Sequence, residues 1–328
     1  MTKLKRSTLP NIVHTHATAC PSFTLLRTFV QNGSELRHVA HVHGTTKGIL
    51  RSLAKLSNSQ HYQSQPTFMT NMAILREVFV WRSADAVIAV SNHVKAELVN
   101  LYGIAEKRIH VVNKGEDMGL YQPIANREGL LQDLGFRSDT DLLLFLGEFR
   151  DIKGPETFIR SLPVVRKACP RVKALVVSGR INRSKSKYAE KLFSLIHQLG
   201  LEETIEIRET VPHTDLPKVY NAAKVVVVPS LYDSFPKVPL EAMACGIPVI
   251  GSNVGGLSEF LRDGAGILVE PQNHDDLASR IIEVLSNPGL AMEIAEQGRK
   301  SVLENFTWRN TIDGIMNVYG RTLSARTN

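Results

Sequence analysis

Residues 224–252 read KVVVVPSLYDSFPKVPLEAMACGIPVIGS, and the order of their parts decides the architecture. A run of four valines has the length of a buried strand, a polar turn follows, a helix-like segment comes next, and PVIG closes as a second strand. Prolines stand at 236 and 239. The first N–H groups of a helix have no partner inside it, so proline is tolerated there and nowhere deeper. The helix is therefore expected to open around Ser234 to Pro236, at the carboxyl edge of a sheet. Its bare amides and the positive end of its dipole make a site for phosphate, and Lys237 adds a full charge.

The same alternation extends to both sides. From about residue 139, DLLLFLG, VKALVVSG, KVVVVPS, IPVIGS and GILVEP read as strands, separated by the amphipathic segments PETFIRSLPVVRKA, KYAEKLFSLIHQLG and LPKVYNAA and followed by HDDLASRIIEVLSN. Strand–helix–strand units with right-handed crossovers make a doubly wound α/β domain. Earlier in the chain, PNIVHTH, HVAHVHG, ADAVIAVS and RIHVVN read as strands, and SNHVKAELVNLYG holds a helix with Ser91 or Asn92 as its N-cap. The pattern relaxes at Tyr121–Gln122–Pro123. Two Rossmann-like domains, 1–122 and 123–306, are expected to face each other across a cleft lined by the carboxyl ends of their strands, where ligands of this class bind.

Composition narrows the classes. The chain has 328 residues, 43% hydrophobic and 22% charged, which is ordinary globular usage and argues against disordered, fibrous and membrane classes. Cys20, Cys169 and Cys245 are widely spaced, with no disulfide or zinc-knuckle pattern, as suits a reducing cytoplasm. The basic N-terminus lacks the apolar run of a signal peptide or anchor. The formal charge of +7, from 39 Lys and Arg against 32 Asp and Glu, suits phosphorylated ligands or the inner face of an anionic membrane. A basic stripe interleaved with aromatics is missing, which argues against nucleic acid.

Asp233 and Glu241 flank the proline-marked helix start. Carboxylates accept paired hydrogen bonds from neighbouring hydroxyls, so one can face a sugar and the other a ribose on a bound nucleotide diphosphate. The plainer alternative is a helix cap at Asp233 and a salt bridge at Glu241. In the first domain, His41 and His43 alternate onto one face of a strand, and GTT after them can turn backbone N–H groups toward a ligand.

Continued by IPVIGSNVGGLSEFLRDGAGILVEP, the stretch resembles the donor-site segment of retaining glycosyltransferases of the GT-B fold. These belong to the large family (glycosyl transferases group 1, family 4-like) that includes sucrose synthase, glycogen synthase and bacterial mannosyltransferases. The matching positions are Asp233, Glu241, Pro248, Val249, Gly255, Gly256 and Glu259. FLGEFRDIKG resembles the family segment that brings Arg and Lys to the diphosphate, with Lys153 at the Lys. AHVHGTTKG resembles the strand end that presents a His to the transferred sugar, at His43. ENFTWRNTIDGIMNVY resembles the final helices, so residues 307–328 are expected to return to the first domain.

The resemblance implies His43, Asp233 and Lys153 as catalytic residues, and Arg150, Ser234, Phe235, Lys237, Val238, Glu241, Gly147 and Gly179 as donor-binding residues. It implies no cofactor and no metal, a nucleotide-diphosphate sugar as donor, and a glycan, lipid-linked or small-molecule hydroxyl as acceptor. It also implies a cytoplasmic protein, with peripheral contact to a membrane as a further expectation. The sequence departs from the pattern at Glu148, which takes the place of an Arg that Arg150 would replace, at Asp233 where Glu is usual, and at Pro236 where Gly is common. The first domain is shorter than the family's by about its opening third to half. Two other readings stand beside this one. A pseudo-transferase or one subunit of a split enzyme would bind the donor without turning it over. A metal-dependent hydrolase would use the pairs His14/His16 and His41/His43 as ligands.

Overall fold

A computed structural model describes residues 12–16, 36–55, 67–179 and 186–325; Cys20 lies outside them. The chain divides into two compact units, residues 1–114 with 308–328, and Gly115–Thr307.

In the first unit, β1 (Ile12–His16), β2 (Arg37–Val42), β3 (Ala86–Ala89) and β4 (Ile109–Val111) lie side by side in chain order, all parallel. Helices α1 (Thr46–Lys55), α2 (Phe68–Ser83) and α3 (Asn92–Tyr102) connect them. At the start of α3, Val94 N–H donates to Ser91 Oγ at 3.2 Å, so the cap falls on Ser91. The closing helix, Trp308–Ser324, packs on this sheet. Its Val318 joins Val39, Ile88 and Val112 in one core cluster, and Thr311 donates to the Asn113 carbonyl at 2.9 Å.

The second unit holds six parallel strands: β5 (Asp141–Leu146), β6 (Val172–Val177), β7 (Ile205–Arg208), β8 (Val225–Val228), β9 (Val249–Ser252) and β10 (Ile267–Val269), in the order β10-β9-β8-β5-β6-β7. Its helices are α4 (Arg127–Asp133), α5 (Pro155–Ala168), α6 (Lys187–Gln198), α7 (Leu216–Ala222), α8 (Lys237–Ala244), α9 (Leu257–Phe260), α10 (His274–Ser286) and α11 (Pro288–Asn305). From β5 the chain winds outward through β6 and β7, then returns to place β8 on the other side of β5. The connections leaving β5 and β8 thus run to opposite sides, and a crevice opens between their carboxyl ends.

Three sequence expectations move. The division falls at Lys114/Gly115 instead of near Tyr121–Pro123, because residues 116–124 form no strand and bond to the second unit. Glu116 N–H donates to the Phe306 carbonyl at 2.9 Å and Ile124 N–H to Asn221 Oδ1 at 2.7 Å, while Tyr121 is fully buried. Helix α8 opens at Lys237, with Pro236 as its extended cap residue at φ −73° and ψ 135°. Strand β7 escapes the sequence pattern since its alternating Glu206 and Arg208 give an edge strand little apolar signal. Among the described residues no helix is long and apolar enough to cross a membrane.

Candidate functional site

Two loops meet at the crevice of the second unit. The loop after β5 makes a single 3-10 turn, Asp151–Lys153, and leaves it through Gly154 at φ +69°. A Cβ on Gly154 would come within 1.9 Å of the Pro229 carbonyl oxygen, so only glycine permits the approach. The Ile152 carbonyl accepts from Leu231 N–H at 2.8 Å, and this lacing fixes the loop after β8. The result is an ion pair, Lys153 Nζ to Asp233 Oδ2 at 2.6 Å, with the acid 9% exposed.

A third loop, from β9, secures the other side of Asp233. Gly256 N–H donates to the Asp233 carbonyl at 2.8 Å. Cβ atoms on Gly255 (φ +52°) and Gly256 would lie 2.1 Å and 2.2 Å from the carbonyl oxygens of Asp233 and Ser234. The glycine pair therefore serves backbone contact: it lets this loop rest on the Asp233–Phe235 backbone. Phe235 is buried against Phe260, with ring centroids 4.7 Å apart, and so anchors the entry to α8. A cavity of about 240 Å³ opens among Lys153, Asp233, Phe235, Pro236, Lys237 and Val238, over the ends of β5 and β8.

Glu241 lies one turn into α8, 5% exposed. Tyr220 donates to its Oε2 at 2.6 Å, and Lys237 Nζ stands 3.8 Å from Oε1. Burial is the largest influence on this carboxyl and raises its pKa, with the nearby Glu116 adding to the effect. Burial and Glu241 in turn push the Tyr220 and Tyr121 hydroxyls upward. Lys237 is shared, since its Nζ also pairs with Glu116 Oε2 at 3.1 Å. Glu116 is 4% exposed and was not singled out in the sequence, where it follows the strand pattern RIHVVN; Tyr220 was hidden in a helix pattern.

The other expected donor residues are placed as follows. Arg150 lies beside Glu148 at 3.4 Å, both about two-thirds exposed, and neither lines the cavity; the pair is a surface one. Gly147 ends β5 with its N–H donated to the Val177 carbonyl. Gly179 follows β6 with open space where a Cβ would stand and takes no part in the cavity lining.

His43 belongs to the first unit, one residue beyond β2. Because His14 pairs in register with Val39 and His16 with His41, the rings of His14, His16, His41 and His43 collect on one face at the carboxyl ends of β1 and β2. Their centroids are 4.5–5.3 Å apart between neighbours. His16 Nδ1 and His43 Nε2 share a hydrogen bond at 2.8 Å, and His14 Nδ1 pairs with the Tyr319 hydroxyl at 2.6 Å. Burial first, then neighbouring rings and Lys114, draw His41 down to about 3 and His43 to about 4; burial and His16 bring His14 to about 4. In and just after GTT, the amides from Thr46 to Gly48 are taken up within the unit. Thr46 N–H bonds Glu77, Lys47 N–H bonds the Tyr102 hydroxyl and Gly48 N–H bonds Thr45 Oγ1.

Residues 126–301 match the family described as Glycosyl transferases group 1, and residues 1–119 match Glycosyltransferase Family 4. Among curated proteins, the D-inositol 3-phosphate glycosyltransferase of Acidothermus cellulolyticus is 32% identical over 257 residues, covering 77% of this chain and 57% of that one. The chain thus spans little more than half of that relative. Among solved structures, sucrose-phosphate synthase from Thermosynechococcus elongatus superposes with a TM-score of 0.79 at 25% identity, covering 96% of this chain and 74% of that one. Anabaena Alr3699/HepE, solved in complex with UDP-glucose, gives 0.76 at 21% identity, covering 94% and 79%. Both parallel sheets are of the Rossmann kind, and the architecture is that of GT-B glycosyltransferases. With more than half its length matched and its glycine, acid and lysine positions explained by the loops they build, the chain belongs to the glycosyl transferases group 1 family.

Proposed function

We propose that this chain is a retaining glycosyltransferase that moves a sugar from a nucleotide-diphosphate sugar to an acceptor hydroxyl in the cytoplasm. The observation that carries the reading is the cavity at the ends of β5 and β8, where Lys153, Asp233 and the amide end of α8 converge. Its volume, about 240 Å³, suits a diphosphate and part of a sugar.

Each group has a task. The N–H groups of Lys237 and Val238, at the positive end of α8, face the diphosphate. Lys153 carries the mobile charge: Asp233 holds its ammonium in the cavity, and a bound phosphate shares it as the bond to the anomeric carbon breaks. Asp233 receives the hydroxyls of the transferred sugar, and Glu241 those of the ribose, as a buried acceptor steadied by Tyr220. His43 is assigned to the transferred sugar on the strength of the family resemblance alone. The acceptor hydroxyl enters on the face the leaving phosphate vacates, and that phosphate takes its proton, so no protein base is required. The diphosphate is held by protein groups alone. The acceptor is a glycan, a lipid-linked sugar or a small molecule.

Thermal shift of the intact chain against nucleoside diphosphates and their sugars tests the assignment. One base should raise the melting temperature, Glu241→Ala should abolish the rise, and Asp233→Ala should remove discrimination among sugars while preserving the response to the bare diphosphate. Equal responses in both variants would refute the roles given.

A further inference from the structure

The four-histidine face of the first unit holds a feature that sugar transfer does not use. His41 is 3% exposed, and neither of its ring nitrogens has a hydrogen-bond partner among the described residues. His14 Nε2 is likewise buried without one. Desolvating ring nitrogens and leaving them unpaired destabilises a fold, and such groups recur where a ligand supplies the missing bond. Here they stand close together: His14, His16 and His41 each offer one nitrogen, and the three lie within 4.8 Å of one another, with the His14 and His16 rings stacked.

Two of the rings are also braced from behind. The Tyr319 hydroxyl bonds His14 at Nδ1 and His43 bonds His16 at Nδ1, which leaves Nε2 of each ring for another partner. A hydrogen bond on the far nitrogen is the usual support of a metal-ligating histidine, fixing ring orientation and the lone pair's direction. The nitrogens around a tetrahedral zinc ion at roughly 2.0–2.1 Å stand about 3.3 Å apart, so the stacked rings turn as well as approach when the set closes on an ion.

We propose that His14, His16 and His41 bind one borderline divalent transition-metal ion, with a fourth position left to water or another small oxygen or nitrogen ligand. An all-imidazole set without a carboxylate favours copper, nickel, cobalt and zinc ions, which take nitrogen donors. It disfavours magnesium and calcium, which need oxygen donors. Because His16 holds His43 at 2.8 Å, a bound ion also fixes the ring assigned above to the sugar. The site stands on the first unit's geometry and does not depend on the donor reading.

The test is titration of the tagless intact chain, stripped with a chelator, with cobalt(II) and zinc(II). The chain should take up one equivalent at micromolar or lower concentration, and cobalt should show the intense visible bands of tetrahedral nitrogen coordination. His16→Ala, an exposed position that does not endanger folding, should weaken binding at least tenfold. Tyr319→Phe should weaken it about tenfold while leaving the melting temperature of the metal-free chain within a few degrees. His41→Leu should abolish it. Uptake that is weaker than millimolar, an octahedral cobalt spectrum, or affinity unchanged in His16→Ala would overturn the site.

Discussion

Glu241 is a carboxylate that folding disfavours and nucleotide recognition requires. Burial lifts its pKa in the folded chain, so the folded state keeps a proton that the unfolded chain has released. Its contribution to stability is therefore full below the unfolded value and is lost as pH rises through the folded one. Glu241→Gln retains an acceptor for Tyr220 and removes the charge. It should raise the melting temperature at pH 8 by on the order of 2–4 °C, with the gain vanishing near pH 5, while nucleotide binding falls; a loss of stability at pH 8 would contradict this account. The two lysines differ for a related reason. Lys237 is shared between Glu116 and Glu241, whereas Lys153 has one acid partner. Lys153→Met should weaken diphosphate binding at least tenfold more than Lys237→Met, read by calorimetry. The strand end and the proline-marked helix start put Asp233 and Glu241 around one loop, and the family resemblance singled out Lys153, which the fold brings to Asp233. Glu116 was beyond the sequence pattern, since whether an acid in a turn is buried depends on chain segments far away in sequence, whereas Arg150, expected at the diphosphate, pairs with Glu148 on the surface.

The glycines that carried the family resemblance act at the level of loops. Gly154 and Gly255 hold left-handed backbone against carbonyl oxygens of the β8 loop, and a methyl group at either place forces those loops apart. Gly154→Ala should cost about 2–4 kcal/mol and abolish the nucleotide-dependent thermal shift. Gly135→Ala, also at positive φ but with open space around it, should cost no more than about 1–2 kcal/mol and keep the shift. The buried parallel strands were plain in sequence because both faces are covered, giving runs such as Val225–Val228. Helix α11 was missed, although Asn287 caps it and Pro288 opens it, because its buried Ile294, Gly298 and Val302 are few and one is a glycine. Helix α2 was missed too: only Glu77, Val80 and Trp81 are buried along it, too sparse a stripe to announce a helix.

The two units should answer to different ligands. A nucleotide diphosphate should slow amide exchange at the ends of β5 and β8, and zinc at β1 and β2, each without the other's pattern. The closing helix Trp308–Ser324 follows the second unit in the chain yet completes the first, through Val318 in its core and Tyr319 on His14. Ending the chain at Thr307 should therefore unfold the first unit, seen as loss of protection in β1–β4, while the second still binds nucleotide. A chain uniformly protected after that deletion would show the helix to be dispensable.

That placement sets the timetable of synthesis. Residues from 308 onward are made after the whole second unit, so the first unit's sheet, made before it, waits with an uncovered face until that helix emerges. Of the two units, the one translated second can close first, and the longer exposure to chaperones falls on the sheet made before it.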